Sequence, residues 1–188
     1  MKLVCDIEFD GNDFRKDRLE YGEYENCTFN NCLFNEVDLS GYRFTDCHFE
    51  QSDMSGASLE NTSFKHVQFT SCKLIGLRFE LCDTFMLSFN FDQCQLSYSS
   101  FYQLALEGIR FGHCILIETD FSQSDLNRAD FEGSDLSGAI FQHTNLRGSD
   151  LSNAQGYTID PEQNQIKSAR FSFPSLLGLL KKYDIEIL

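Results

Sequence analysis

From Phe9 to Phe79, and again from Phe91 to Leu151, every fifth residue of the chain is large and apolar. The series runs Phe9, Phe14, Leu19, Tyr24, Phe29 and on to Phe79, then restarts at Phe91 and continues through Leu96, Phe101 and Leu106 to Leu151. That gives 28 positions, each of them Phe, Leu, Tyr or Met. Those four types fill 51 of the 188 positions, so chance would produce one such register with a probability on the order of 10⁻¹⁶. A second column lies two residues before each centre and is mostly small, as at Cys32, Ser52, Ala57, Thr62, Cys72, Ser124, Ala129 and Ser134. The residue between the columns is often polar. The two trailing residues are polar or Gly, as in Glu132-Gly133 and Ser137-Gly138.

Side chains two apart on an extended backbone share a face. A small and a large residue therefore point inward together, a polar one points outward between them, and the trailing pair turns a corner. A period of five fits neither a helix of 3.6 residues per turn nor a long flat strand. It predicts a solenoid with short straight sides, in which Phe and Leu stack into interior ladders. Each buried large side chain contributes about 1.5–3 kcal/mol before entropy is counted. Such a fold grows in one dimension and needs capped ends.

The motif small–Asp/Asn–Leu/Phe–x–x, as in Ala129-Asp130-Phe131-Glu132-Gly133 and Ser134-Asp135-Leu136-Ser137-Gly138, resembles the pentapeptide-repeat family over about residues 7–155. The resemblance implies an all-β solenoid: a right-handed, quadrilateral parallel β-helix with four pentapeptides per coil, so that residues 20 apart stack. Residues 1–156 are read as this β-helix. Residues 157–188 are read as a C-terminal α-helical cap that also pairs two chains.

The cap follows from residue types. Asp160-Pro161 followed by Gln163 reads as a helix start, and Pro174 opens a second helix to Tyr183. Leu176, Leu177, Leu179, Leu180 and Tyr183 give that helix an apolar face, more than one open solenoid end requires, although a plain cap over the last coil stays open, and Lys181 and Lys182 suit its C-terminal end. Ile185-Glu186-Ile187 alternates like a short strand. Inside the repeat the spacing slips once: Phe79 to Phe91 is 12 residues rather than 10. The break at about 82–90 contains Phe85, Met86 and Leu87, which cannot all point inward. It reads as a tolerated bulge or as an apolar contact knob.

Composition changes the picture in three places. The chain holds 8 Cys, yet its N-terminus, with acids at Asp6, Glu8 and Asp10, has no signal-peptide core, and no apolar run reaches a membrane span. A cytoplasmic protein with reduced thiols is expected. Cys27, Cys32, Cys47, Cys72, Cys94 and Cys114 then read as small core residues of the inward column, Cys82 as their counterpart in the imperfect repeat, and Cys5 alone falls outside. Second, no nucleophile elbow, phosphate-cradling loop or metal-ligand spacing is present, and His48, His66, His113 and His143 are scattered. No enzyme activity, metal or cofactor is expected.

Third, the net charge is −14. A chain this acidic is not expected to bind nucleic acid directly. Residues 1–156 hold 25 acids and 11 bases, whereas residues 157–188 hold 4 of each, so the whole excess lies on the repeat. Stacking at 20-residue intervals places Asp92, Asp130, Glu132 and Asp150 on one face, interrupted by Arg110. Here the chain is similar to family members that imitate DNA and protect type II topoisomerases, the microcin B17 immunity and quinolone-resistance types. The resemblance implies DNA gyrase or topoisomerase IV as partner and protection from quinolone or peptide poisons, while the homodimer rests on the apolar C-terminal segment alone. The Asp160-Pro161-Glu162-x-Asn164 segment and the short break look most like the immunity type, since the quinolone-resistance type carries long projecting loops. A scaffold for another protein partner, with no topoisomerase role, stays open beside this reading, and so does a solvated surface that merely keeps the rod soluble.

Overall fold

A computed structural model describes residues 1–186, and it is a parallel β-solenoid. On the first side of the coil, β1 (Lys2–Cys5), β3 (Gly22–Glu25), β5 (Arg43–Thr45) and β7 (Ser63–Lys65) stack in parallel. On the second, β2 (Glu8–Asp10), β4 (Thr28–Asn30), β6 (His48–Glu50), β8 (Val67–Thr70), β9 (Phe89–Asp92) and β10 (Phe111–Gly112) form a longer ladder. The third and fourth sides narrow to single bridges, from Asp13–Leu33 to Asp135–Gln155 and from Asp38–Ser58 to Asp120–Ile140. Strand partners such as Phe29–Phe49 stand 20 residues apart, and Phe69–Phe91 across the break 22 apart.

The centres fill the interior. Phe29, Phe34, Phe44, Phe49, Phe64, Phe101, Phe111 and Phe121 are fully buried. Rings one coil apart stack face to face, with centroids 4.6 Å apart for Phe29–Phe49 and 5.3 Å for Phe101–Phe121. Rings on adjacent sides meet edge-on, as for Phe101–Phe111 at 5.4 Å. Both geometries suit the aromatic quadrupole.

The small column does more than leave room. Where the chain leaves the second side as a strand, the next N–H cannot reach back to the carbonyl of the centre. A hydroxyl or thiol one coil later supplies the donor: Ser52 Oγ donates to the Phe29 carbonyl at 2.9 Å, Cys72 Sγ to Phe49 at 3.3 Å, Cys94 Sγ to Phe69 at 3.4 Å and Ser134 Oγ to Phe111 at 2.8 Å. Ser52 Oγ also accepts the Cys32 N–H at 2.9 Å. Alanine occupies the column where the backbone closes the turn itself, as Ala57 N–H to Met54 and Ala139 N–H to Leu136 do. Cys27, Cys32, Cys47, Cys72 and Cys94 are thus corner donors as well as small core residues. Seven are buried free thiols and Cys5 is exposed. Burial pushes the Cys47 thiol up to about 12, which leaves it unreactive at neutral pH. Ser52→Ala strands two buried backbone groups, and urea unfolding is expected to show a loss of about 1–3 kcal/mol.

The C-terminal segment departs from expectation in two ways. First, the solenoid runs past residue 156: Asn145 bridges Gln165 and Asp150 bridges Arg170. Gly156 and Pro161 stand where large centres belong, and Tyr157 and Ile159 are buried instead. Second, no α-helix forms among the described residues. Asp160 Oδ1 accepts the Glu162 N–H at 2.9 Å in a single turn. The chain is then drawn inward by Asn164, whose Nδ2 donates to the Phe141 carbonyl at 3.0 Å and whose Oδ1 accepts the Thr144 N–H at 2.9 Å. The expected helix from Pro174 is a pair of 3-10 turns, Ser175–Leu179 and Lys181–Tyr183. Gly178 interrupts any longer helix and lies directly on the Tyr157 carbonyl, where a side chain would not fit. Lys182 Nζ pins the second turn to Asp160 at 2.6 Å and Glu162 at 2.7 Å. Ile185 and Glu186 form no strand, and Ile187 lies outside the described residues.

The phase break is a displaced pentad. Cys82 is buried in the small column and Met86 holds the corner conformation at φ 58°, but Thr84, at the centre position, is exposed. Leu87 and Ser88 are the inserted pair. Phe89 swings in to fill the vacated interior, 5.3 Å from Phe79 and 5.2 Å from Phe91.

Candidate partner-binding surface

Register assigns every outward residue to a side. The second side presents residues 8–10, 28–30, 48–50, 68–70, 90–92, 110–112, 130–132, 150–152 and 170–172. Its outward positions carry seven carboxylates, Glu8, Asp10, Glu50, Asp92, Asp130, Glu132 and Asp150, against two arginines, Arg110 and Arg170. On the first side the rungs at 23–25, 43–45, 63–65, 105–107, 125–127, 145–147 and 165–167 carry Glu23, Glu25, Glu107 and Asp125 against Arg43, Lys65, Arg147 and Lys167. The second side is therefore far more acidic than the first, while the fourth is acidic too: its rungs at 38–40, 58–60, 78–80, 100–102, 120–122 and 140–142 carry Asp38, Glu60, Glu80 and Asp120 against Arg78.

Asp92, Asp130, Glu132 and Asp150 do share that side. Asp130 bridges Asp150, and Arg110 bridges Asp130 with Nε 3.7 Å from Oδ2. Arg170 forms an ion pair with Asp150. Sequence reasoning missed Arg170 because it assigned residue 170 to a cap, although Ala169-Arg170-Phe171 shows the small–x–large signature. Burial raises the Asp150 carboxyl, but hydrogen bonds from Ser152 and the Arg170 charge outweigh it and hold the group below the usual range. His113 Nδ1 lies 3.7 Å from Asp92 Oδ1, and Glu132 Oε2 accepts from Asn153 Nδ2 at 2.9 Å.

Not every carboxylate on this side has the same cause. Asp130 Oδ1 accepts the Glu132 N–H and Asp150 Oδ1 the Ser152 N–H, both at 3.0 Å. Asp38, Asp53, Asp120, Asp125 and Asp135 make the same two-residue turn bond elsewhere. Aspartate at this repeat position is thus a turn residue, and its charge comes with it. Glu8, Asp10, Glu50, Asp92 and Glu132 make no such turn bond, although Glu8 and Asp10 accept from Asn30 and Asn31 of the next coil at 2.9 and 3.3 Å.

At the break, Phe85 is 67 % and Met86 59 % exposed, while Leu87 is half-buried against the core. Lys65 Nζ sits 5.1 Å from the Phe85 ring centroid. At the C-terminal end Leu176 and Tyr183 are exposed and Leu177 and Leu180 half-buried. Among the described residues no helix is long and apolar enough to cross a membrane.

The solenoid is similar to two trypsin-treated variants of QnrB1, a plasmid-mediated fluoroquinolone resistance protein. One is 21 % identical with a TM-score of 0.60, covering 98 % of this chain and 99 % of the other. The second is 19 % identical with a TM-score of 0.60, covering both chains completely. HetL, a pentapeptide-repeat protein of heterocyst differentiation regulation from the cyanobacterium Nostoc, is 18 % identical over 90 % of this chain and 83 % of its own, with a TM-score of 0.48. At these identities the likeness concerns the fold alone. No curated protein matches by sequence. Two family profiles do match, a pentapeptide repeat region over residues 23–101 and eight copies of the pentapeptide repeat over residues 114–153. Together they span well over half of the chain, on the residues whose ladders build the coil, and the chain belongs to the pentapeptide-repeat family.

Proposed function

We propose that this protein is a non-enzymatic DNA mimic that binds a type II topoisomerase, gyrase or topoisomerase IV, and protects it from quinolone or peptide poisons. The observation that carries this reading is the acidic second side: seven carboxylates against two arginines, beside a first side that is nearly balanced. Rungs about 4.8 Å apart repeat this charge along a rigid rod, as a duplex repeats its phosphates. The acidic side would occupy the basic groove that holds DNA. The fold it shares with QnrB1 is compatible with that role. Because long-range attraction drives the encounter, binding to purified gyrase is expected to weaken at least about tenfold between low and physiological salt. Salt-independent binding, or none, contradicts the reading.

A second reading is a scaffold for a different protein, and the Phe85–Met86 knob favours it. Either function is compatible with a homodimer through Leu176, Leu177, Leu180 and Tyr183, two of them exposed at the end of the rod. Light scattering is expected to give twice 21.6 kDa, and Leu176→Asp is expected to return a monomer. A wild-type monomer at high micromolar concentration refutes the pairing.

A further inference from the structure

The first-side ladder is interrupted. The sheet β1-β3-β5-β7 stops at β7, and bridging on this side resumes only at Ala105–Asp125. In a regular rung the residue before each centre donates its N–H to the coil before, as Asp125 does to the Leu104 carbonyl. Its carbonyl and that of the residue two further on accept from the same coil, as Asp125 accepts from Leu106 and Asn127 from Gly108. At the next rung toward the break these three groups are the Ala105 N–H, the Ala105 carbonyl and the Glu107 carbonyl. Among the described residues none of them has a backbone partner. The displaced pentad is the cause, since Thr84 and Met86, which should donate, have moved outward. The adjoining second-side rung is sealed differently, because Asn90 Oδ1 accepts the Arg110 N–H at 2.9 Å.

Between the two rungs lies a cavity of about 130 Å³, lined by Leu87–Asn90 on one wall and Ala105–Ile109 on the other. Its floor is closed by Phe89, which is 3 % exposed and wedged among Phe64, Phe79, Phe91 and Phe101. We propose that this missing rung is a docking site for an extended segment of a partner protein, added as a β-strand on Ala105 and Glu107 with small residues facing the solenoid. Three unpaired main-chain groups at strand spacing select a main chain as the occupant. Phe89 already fills the interior, so the inward residues must be Gly, Ala or Ser rather than Leu. The site is distinct from the acidic side and does not depend on a topoisomerase partner.

The test is an amide NMR titration of the full chain with an acetylated, amidated pentapeptide of alternating serine and alanine. Saturable shifts are expected at Ala105, Leu106 and Glu107. Binding should fall at least about tenfold when leucine replaces alanine or when the peptide is N-methylated on its donor edge. Ala105→Pro should weaken binding similarly while leaving the unfolding midpoint near wild type, because the Ala105 N–H has no native partner to lose. Without peptide, the Ala105 amide should exchange with solvent at least about a hundredfold faster than that of Asp125. A protected Ala105 amide, equal binding of the N-methylated peptide, or no shifts at millimolar peptide each overturn the proposal. The exchange and N-methyl arms do not depend on the proline variant folding.

Discussion

Phe111→Ala is expected to destabilise the protein by about 3–5 kcal/mol, as large an effect as a single core substitution produces. Phe111 is fully buried and touches four other rings: Phe91 at 5.4 Å and Phe131 at 5.3 Å in its own ladder, Phe101 at 5.4 Å and Phe121 at 5.5 Å on the neighbouring one. Backbone bonds tie the Phe111 level to the coils on both sides, from Phe91 N–H to Arg110, Gln93 N–H to Gly112, Phe111 N–H to Asp130 and His113 N–H to Glu132, so the coil cannot collapse around a missing ring. The cavity term should remain close to its full size. In a solenoid the loss also breaks nearest-neighbour coupling, so urea unfolding is expected to lose cooperativity as well as shift its midpoint. Phe85→Ala, at an exposed position, should change stability by no more than about 0.5 kcal/mol. Equal effects at the two positions would mean that the ladder does not hold the fold together.

The second large effect concerns binding. The combined variant Asp92→Asn, Asp130→Asn, Glu132→Gln and Asp150→Asn removes four of the seven charges from the second side. Asparagine keeps the turn acceptor that Asp130 and Asp150 supply, so unfolding is expected to move by less than about 1 kcal/mol. Removing Asp150 also leaves Arg170 unpaired and adds positive character to the same side. Affinity for gyrase is expected to fall at least about tenfold, mainly through slower association. Neutralising Glu23, Glu25, Glu107 and Asp125 on the first side removes as much charge and should leave binding nearly unchanged. Equal losses from both sets would show that overall charge, rather than one side, is responsible.

The centres and the small column are legible in the sequence because a ladder needs a side chain of the same kind at each level. The positions of Phe29, Phe49 and Phe69 follow from the count of five alone. The outward, one-sided positions of Asp92, Asp130, Glu132 and Asp150 follow from counting by twenty. What periodicity does not carry is hydrogen-bond bookkeeping. Cys72 and Cys94 read as space-fillers, and only the strand corners reveal the carbonyls their thiols serve. The end of the rod is misread for a related reason. Gly156 and Pro161 interrupt the pattern of large centres while the count of five continues to Ile166 and Phe171, so the last coil resembles the start of a cap. Asp160-Pro161 has helix-start chemistry, but the hydrogen bonds that Asn164 makes inside the coil outweigh that local preference. The missing rung is visible in the sequence only as a two-residue slip. Nothing in the pattern says that Thr84 turns outward and Phe89 turns in.

As a proposed DNA mimic, this rod is expected to take the place of DNA on a type II topoisomerase. The most direct measurement is a gyrase supercoiling and cleavage assay with added protein, with and without a quinolone or a peptide poison. Poison-stabilised cleavage complexes are expected to fall as the protein is added, and supercoiling to be inhibited at higher concentration. Cleavage complexes that do not change over a wide concentration range, with or without poison, would contradict the claim.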